Sequence, residues 1–338
     1  MSAEAFDPAA KERELRAAAD SWDVSDVVPA HDGDVPVVDV GPYFASGDDA
    51  DLAVAADVLR TALETVGFHQ LVGHGITPVQ RAAIFEQTER FHALDEDVRR
   101  RIEMDRPGWP VGGVGYLPPG ERKLPRRAQG NANEAFLMKS DIDIAPDDNQ
   151  WLTEDVLPGF RAQVETYADL MEHLALRLLP VYAAALDLPA EHFTPGFASP
   201  FWWLRLTHYP PAEPRRPGDP FGIAPHVDTT FITLLLPGGP GLTIYSHRRD
   251  RWITVPVIDG AYVVNAGELL RQWSNDRVLS TRHFAHNPDP NSRYSIPFFF
   301  NATSDYRMEC LPSCHSPDNP PKYPPFSYRE SQAAVQGE

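Results

Sequence analysis

The sequence predicts a mainly β protein with flanking helices, in which a double-sheet barrel or jelly roll is preceded by an α/β region. Three observations favour this fold. After Pro200, short apolar stretches recur at regular spacing with turn residues between them, as in barrels and jelly rolls. Residues 160–186 carry one apolar stripe at steps of three and four residues, which is typical of a long helix. A chain of 338 residues with 42% hydrophobic residues is ample for a buried core.

The N-terminal region alternates strand and helix patterns. Apolar residues over 35–40 and a glycine-bounded stretch over 67–75 predict two strands. Helical spacing predicts a helix over 52–66, and Thr77 followed by Pro78 is typical of the start of a second helix, which extends to about residue 94. The segment 107–148 is rich in glycine, proline and charge, so we expect a long functional loop with one strand over 133–138.

The C-terminal half supplies the predicted barrel strands, which cover 202–209, 231–236, 241–245, 251–255, 261–264 and 293–300. The segment 237–241 is predicted as a turn between two of them. The helix over 160–186 would brace a sheet on one face. We therefore divide the chain into an N-terminal region (1–150), a bracing-helix region (151–196), a jelly-roll core (197–315) and a C-terminal tail (316–338).

The amino-acid composition limits the classes of partner that the protein is expected to bind. The 48 acidic and 30 basic residues give a formal charge of −18, which argues against nucleic acid or an anionic membrane as a partner. No stretch approaches the roughly 20 apolar residues of a membrane span, and residues 1–20 are charged and helical in pattern, unlike a signal peptide. We expect a cytoplasmic protein. The two cysteines, Cys310 and Cys314, cannot by themselves complete a zinc site, so we expect thiols without chemistry.

His226, Asp228 and His283 are the candidate metal ligands. His226 and Asp228 are two residues apart, so on a strand both side chains leave the same face, and the distant His283 supplies a third ligand. Two imidazoles and one carboxylate are the set that holds non-haem Fe(II) on one face and leaves the opposite positions open. His286 and His247 are competing ligands, and a lone histidine in an apolar barrel is more often a packed core residue.

Arg293 and Ser295 follow His283 and would point the same way from an extended chain. A guanidinium beside a hydroxyl suits a carboxylate through charge-assisted hydrogen bonds. The alternative interpretation of Arg293 is a surface ion pair.

The chain resembles the isopenicillin N synthase-like branch of the Fe(II)- and 2-oxoglutarate-dependent dioxygenases over about residues 35–328. The motifs that carry the resemblance are VPVVD (35–39), GFHQLVGHGI (67–76), LPGFR (157–161), RLTHYPP (205–211), HVDT (226–229), WITVP (252–256), VNAGE (264–268), SNDR (274–277), STRH (280–283) and RYSIPFF (293–299). Their number and order make the resemblance specific.

This resemblance implies a distorted double-stranded β-helix, or jelly roll, with Fe(II) at its mouth held by His226, Asp228 and His283. It also implies that residues of two strands bind 2-oxoglutarate: Arg293, Ser295, Tyr209 and Thr207, of which Thr207 stands where many plant members have asparagine. Aromatic side chains near the barrel mouth are expected to contact substrate, and the candidates are Tyr116, Phe136, Phe298 and Phe300.

We therefore expect an oxidoreductase that uses O2 and 2-oxoglutarate to hydroxylate, desaturate or cyclise an unactivated C–H bond of a small molecule in secondary or amino-acid-derived metabolism. An Fe(II) oxidase of the same fold that uses no 2-oxoglutarate is the alternative, because isopenicillin N synthase and the plant ethylene-forming oxidase also keep an Arg-x-Ser pair. A non-catalytic small-molecule-binding protein is a second alternative. The sequence predicts neither the substrate nor the oligomeric state.

Overall fold

The computed structural model describes residues 27–105, 113–121, 130–140, 144, 148–211 and 221–336. The helical pattern over 1–20 and much of the long loop over 107–148 lie outside the described residues. In the described ranges the strands are β1 (Val27–Pro29), β2 (Val37–Asp39), β3 (Phe68–Val72), β4 (Gly115–Leu117), β5 (Glu134–Ser140), β6 (Phe201–Tyr209), β7 (Ile223–His226), β8 (Ile232–Pro237), β9 (Leu242–Ser246), β10 (Arg251–Thr254), β11 (Tyr262–Ala266), β12 (His283–Ala285) and β13 (Arg293–Asn301).

These strands form two sheets. The large sheet has eight strands in the order β2-β3-β11-β8-β13-β6-β5-β4, and the small sheet has five in the order β1-β10-β9-β12-β7. Neighbouring strands are antiparallel except for the β2/β3 and β1/β10 pairs, which are parallel. Apolar side chains from both sheets pack together, among them Phe68 and Val263 of the large sheet and Ile244 and Ile253 of the small one. The predicted jelly-roll arrangement is confirmed.

Seven α-helices lie in the described ranges: α1 (Gly41–Ser46), α2 (Asp49–Thr65), α3 (Pro78–His92), α4 (Glu96–Arg99), α5 (Phe160–Ala185), α6 (Glu268–Trp273) and α7 (Tyr328–Gln336). Helix α3 begins as the sequence predicts, because the Thr77 hydroxyl accepts from the Gln80 amide and the Gln80 side chain accepts in return from the Thr77 amide. No helix in these ranges is both long enough and apolar enough to cross a membrane.

Helix α5 braces the large sheet. Its apolar stripe is buried in the main core together with residues of β6, β8, β11 and β13. The hydroxyls of Tyr167 in the helix and Tyr262 in β11 are 2.8 Å apart, which satisfies two polar groups inside this layer. One face of the large sheet is therefore covered by helices, and the other face is turned to the small sheet. The domain boundaries at 150, 196 and 315 stay a prediction.

Candidate functional site

The three predicted ligands lie close together where the end of β7 is paired with the start of β12. His226 is the last residue of β7, and His283, the first of β12, is paired directly opposite it. Asp228 lies just beyond β7, so the expectation that His226 and Asp228 share one strand face is wrong in detail. The Oδ1 atom of Asp228 is 3.5 Å from Nε2 of His226 and 3.7 Å from Nε2 of His283. We call these three residues the cavity triad.

Backbone carbonyls orient both imidazoles. Nδ1 of His226 is 2.8 Å from the carbonyl oxygen of Ala224, and Nδ1 of His283 is 3.1 Å from that of Thr281. A carbonyl oxygen can only accept, so each Nδ1 carries the hydrogen and each Nε2 presents a lone pair. Burial, together with the neighbouring His226, lowers the pKa of His283 to about 4, so this imidazole is neutral near pH 7.

The carboxylate of Asp228 is oriented in the same way. Its Oδ2 atom accepts from the Thr233 hydroxyl at 2.7 Å and from the Asn265 amide at 2.8 Å, so Oδ1 is left to face the two imidazoles. Burial alone would raise the pKa of Asp228. Interactions with His283 and His226 and the Asn265 hydrogen bond outweigh burial and hold this pKa well below its ordinary value. One carboxylate oxygen and two imidazole nitrogens within 4.8 Å of one another fit Fe(II).

Arg293 lies in the same cavity and is buried (4% exposed). Its Nε donates a long hydrogen bond of 3.4 Å to the carbonyl of Gly239, and its Cζ lies 4.6 Å from the centre of the Tyr209 ring. Its Nη1 has no hydrogen-bond partner among the residues that the structure describes. A surface ion pair is therefore excluded, and a buried guanidinium of this kind fits an incoming carboxylate.

The other predicted co-substrate residues lie beside this arginine. Tyr209 is paired with Arg293 across β6 and β13, and Ser295 is paired with Thr207. The hydroxyls of Ser295 and Tyr209 are 3.5 Å apart, and both side chains line the cavity. The Thr207 hydroxyl is fully buried and, within the described ranges, has no partner. Arg293, Ser295 and Tyr209 therefore share the cavity, whereas Thr207 is paired with Ser295 and does not line the cavity.

The cavity comprises about 500 Å³ of space between the side chains, part of which is open to solvent. The cavity triad, Arg293, Ser295 and Tyr209 supply its polar groups, together with Thr233 and Asn265. Its remaining wall is apolar and consists of Phe68, Ile223, Leu235, Leu242, Ala285, Pro297 and Phe299. Sequence reasoning missed Thr233, Asn265 and this wall, although alternation along the last strand from Arg293 points to Pro297 and Phe299.

The four predicted substrate residues do not line the cavity. Tyr116, Phe136, Phe298 and Phe300 are fully buried in the main core on the helix-covered face of the large sheet. Side chains alternate between faces along a strand, so the even-numbered residues of β13 point away from the side that carries Arg293 and Ser295. The aromatic residue of β13 that does line the cavity is Phe299, which stacks on Trp203 with ring centres 4.6 Å apart.

Neither competing histidine lies in the cavity wall. His247 is buried beside Tyr245 and Thr281, and the ring centre of His286 is 6.0 Å from that of Phe284. The two cysteines are free; Cys314 is buried and Cys310 is partly buried. Burial raises the pKa of both thiols, which favours the unreactive protonated form.

Known proteins share both the sequence pattern and the fold. The family model of the 2OG-Fe(II) oxygenase superfamily matches residues 202–302, and a model described as the N-terminal region of non-haem dioxygenase in morphine synthesis matches residues 35–156. A 2-oxoglutarate-Fe(II) type oxidoreductase of Emericella nidulans is 30% identical over 308 residues, which cover 87% of each chain. A 2-oxoglutarate-dependent dioxygenase of Monascus ruber is 32% identical over 296 residues, 82% of this chain and 87% of the relative.

Among solved structures, a full-length Neurospora crassa protein crystallised with alpha-KG superposes with a TM-score of 0.79 at 25% identity, covering 92% of this chain and 98% of that one. The matched regions contain the cavity triad and Arg293. The chain therefore belongs to the 2OG-Fe(II) oxygenase superfamily and is an Fe(II)- and 2-oxoglutarate-dependent dioxygenase.

Proposed function

We propose that the cavity triad holds the Fe(II) and that Arg293, with Ser295 and Tyr209, binds the distal carboxylate of 2-oxoglutarate. Thr207, which is paired with Ser295 on the neighbouring strand, assists in positioning Ser295. One observation carries this assignment: a metal-ligand set and a buried guanidinium line the same cavity. A dicarboxylate that also chelates the metal satisfies both, because it supplies the counter-charge that Arg293 lacks within the described residues.

The protein contributes binding, orientation and exclusion of water. When bound, iron with 2-oxoglutarate and O2 supplies the oxidising chemistry, and the co-substrate leaves as succinate and CO2. The carbonyls of Ala224 and Thr281 fix the two imidazoles, and Thr233 and Asn265 fix the carboxylate, so the ligands need not reorganise. Besides the cavity triad, the titratable residues of the cavity wall are Tyr209 and Arg293, and we assign no separate acid or base.

The apolar wall favours an apolar small molecule as substrate, with Phe299, Ile223 and Leu235 as the contact residues. The Neurospora crassa protein has been crystallised with alpha-KG and thymine, which is an observation on that protein. Two expectations stay predictions: that an unactivated C–H bond is hydroxylated, desaturated or cyclised, and that the protein is cytoplasmic.

The test uses 2-oxoglutarate itself and needs no knowledge of the substrate. Protein loaded with Fe(II) should convert 2-oxoglutarate to succinate slowly in the presence of O2, and Arg293→Leu should abolish this turnover at the same concentration while retaining iron. Arg307→Leu is the control, since Arg307 is exposed and its ion pair with Glu330 lies on the surface. O2 uptake by the iron-loaded protein without formation of succinate would contradict the proposed co-substrate site.

A further inference from the structure

A second group of two histidines and a carboxylate lies on the helix-covered face of the large sheet. Glu134 begins β5, His208 is paired directly opposite it on β6, and His92 ends α3. Oε1 of Glu134 is 2.7 Å from Nδ1 of His208 and 3.4 Å from Nδ1 of His92. We call these three residues the back-face triad. Its ligand atoms, like those of the cavity triad, all lie within 4.8 Å of one another.

Protein donors already occupy the back-face triad. Arg99 Nη1 is 2.7 Å from Glu134 Oε2 and 3.4 Å from His92 Nδ1, and the Tyr116 hydroxyl also donates to Oε2. His92 Nε2 is 3.1 Å from the carbonyl of Leu206, so this nitrogen carries the hydrogen and Nδ1 accepts from Arg99. A guanidinium that contacts two of the three ligands would also repel a bound cation. The ligand atoms of the back-face triad are therefore occupied by hydrogen bonds within the protein.

The network lies directly behind the co-substrate residues. His208 stands between Thr207 and Tyr209 in β6, and Tyr294 follows Arg293 in β13. Alternation directs His208 and Tyr294 to the helix-covered face, while their sequence neighbours face the small sheet. The rings of His208 and Tyr294 stack with centres 5.1 Å apart and planes inclined by 25°. Each strand therefore carries a co-substrate residue on one face and a member of this stack on the other.

Three strands have one of their ends beside the back-face triad. Strand β5 begins at Glu134, β6 ends at Tyr209 and β13 begins at Arg293. Terminal residues of a strand fray more readily than central ones because they have ladder neighbours in one direction only, so side-chain contacts help to hold them in place. His208 supplies such contacts, since Nδ1 bonds to Glu134 and Nε2 lies 2.9 Å from the hydroxyl of Ser292, the residue before β13.

We propose that Glu134 and His208 are positioning residues for 2-oxoglutarate. They anchor the ends of β6 and β13 from behind, so that Tyr209 and Arg293 keep the geometry that binds the distal carboxylate. This inference rests on the proposed co-substrate site. It assigns to the back-face triad a role in co-substrate affinity and none in metal binding.

The test compares three variants in anaerobic protein loaded with Fe(II), with the dissociation constant of 2-oxoglutarate measured by calorimetry. His208→Leu should weaken 2-oxoglutarate binding about tenfold, because small displacements of binding residues have large effects. His208→Asn, whose amide can donate to Glu134 from near the Nδ1 position, should recover most of the affinity. Ser292→Ala, a milder change at an exposed residue, should weaken binding about twofold. In uncoupled turnover the KM for 2-oxoglutarate should rise while kcat at saturation stays nearly constant.

Trp202→Phe is the matched control. Trp202 lies on the same face of β6 at the opposite end, and its indole nitrogen donates to Glu172 at 2.7 Å. This variant also removes a partly buried hydrogen bond to a glutamate, and it should lower the melting temperature without changing 2-oxoglutarate affinity. Unchanged 2-oxoglutarate affinity in both His208→Leu and Ser292→Ala would overturn the proposal, and so would a second metal ion that is lost in His208→Leu. If the wild-type protein itself fails to bind 2-oxoglutarate, the proposed function fails instead.

Discussion

The cavity triad and the back-face triad contain nearly the same side chains and have different chemistry. Each combines two histidines with one carboxylate, and each places its ligand atoms within 4.8 Å of one another. In the cavity triad the hydrogen-bond partners contact Nδ1 of each histidine and Oδ2 of the aspartate. Two Nε2 atoms and one carboxylate oxygen therefore stay available. In the back-face triad Arg99 and Tyr116 donate directly to the ligand atoms.

This difference shows that a set of ligand types does not by itself define a metal site. Each ligand side chain has two polar atoms, and a metal site requires that the protein's hydrogen bonds use one of them and leave the other available. His226 and His283 use Nδ1 on carbonyls and Asp228 uses Oδ2 on Thr233 and Asn265, which leaves one free atom per ligand on a common side. The back-face triad has no such free side, because a cation of the protein already neutralises its carboxylate.

The largest expected effect is loss of the metal on removal of the cavity carboxylate. Asp228→Ala leaves two neutral imidazoles and no negative charge, so we expect no iron to be retained and succinate formation to fall at least about a thousandfold. Metal analysis of the purified variant and a succinate assay measure both effects. Iron retained at one per chain would contradict the assignment of the cavity triad.

The next effect concerns the co-substrate and leaves the metal in place. Arg293→Leu removes the guanidinium that we assign to the distal carboxylate, so the KM for 2-oxoglutarate should rise about a hundredfold while iron content is unchanged. The preference for 2-oxoglutarate over a 2-oxo acid without a distal carboxylate, such as 2-oxobutyrate, should fall by a similar factor. A variant that keeps this preference would show that Arg293 does not bind that carboxylate.

A smaller effect tests the orientation of Asp228. Thr233→Val removes one of the two donors to Oδ2 and should weaken Fe(II) affinity about tenfold, as outer-shell changes do at other metal sites. Thr243→Val is the matched control, because the buried Thr243 hydroxyl has no hydrogen-bond partner among the described residues. A competitive chelator titration compares the two. Equal affinities in the two variants would rule out a role for Thr233.

The smallest expected effect is at His92 of the back-face triad. His92→Phe keeps a ring in a buried position and removes the acceptor of Arg99 and the donor to Leu206. We expect the free energy of unfolding to fall by about 1–2 kcal/mol and the iron content to stay at one per chain. Denaturant unfolding and metal analysis decide the outcome. A lower metal stoichiometry would break the contrast between the two triads.

Much of the fold and site could be predicted from local pattern. Apolar periodicity located α5 and most strands of the jelly roll, and the spacing of Arg293 and Ser295 placed both on one face of β13. The substrate aromatics could not be predicted in the same way. Phe298 and Phe300 stand beside cavity residues in sequence, but the alternation of a strand sends them into the core, and the choice of face depends on where α5 packs.

By itself, the sequence determined which residue types could bind iron and 2-oxoglutarate, because ligand chemistry and local periodicity are properties of short segments. Only the tertiary structure decided which histidine–carboxylate group keeps free lone pairs. That outcome depends on partners far along the chain: Asn265 for Asp228, and Arg99 for Glu134. Strand register and helix packing bring these partners together. Which lone pairs are used in hydrogen bonds, and which stay available for a metal, is therefore decided only when the chain is folded.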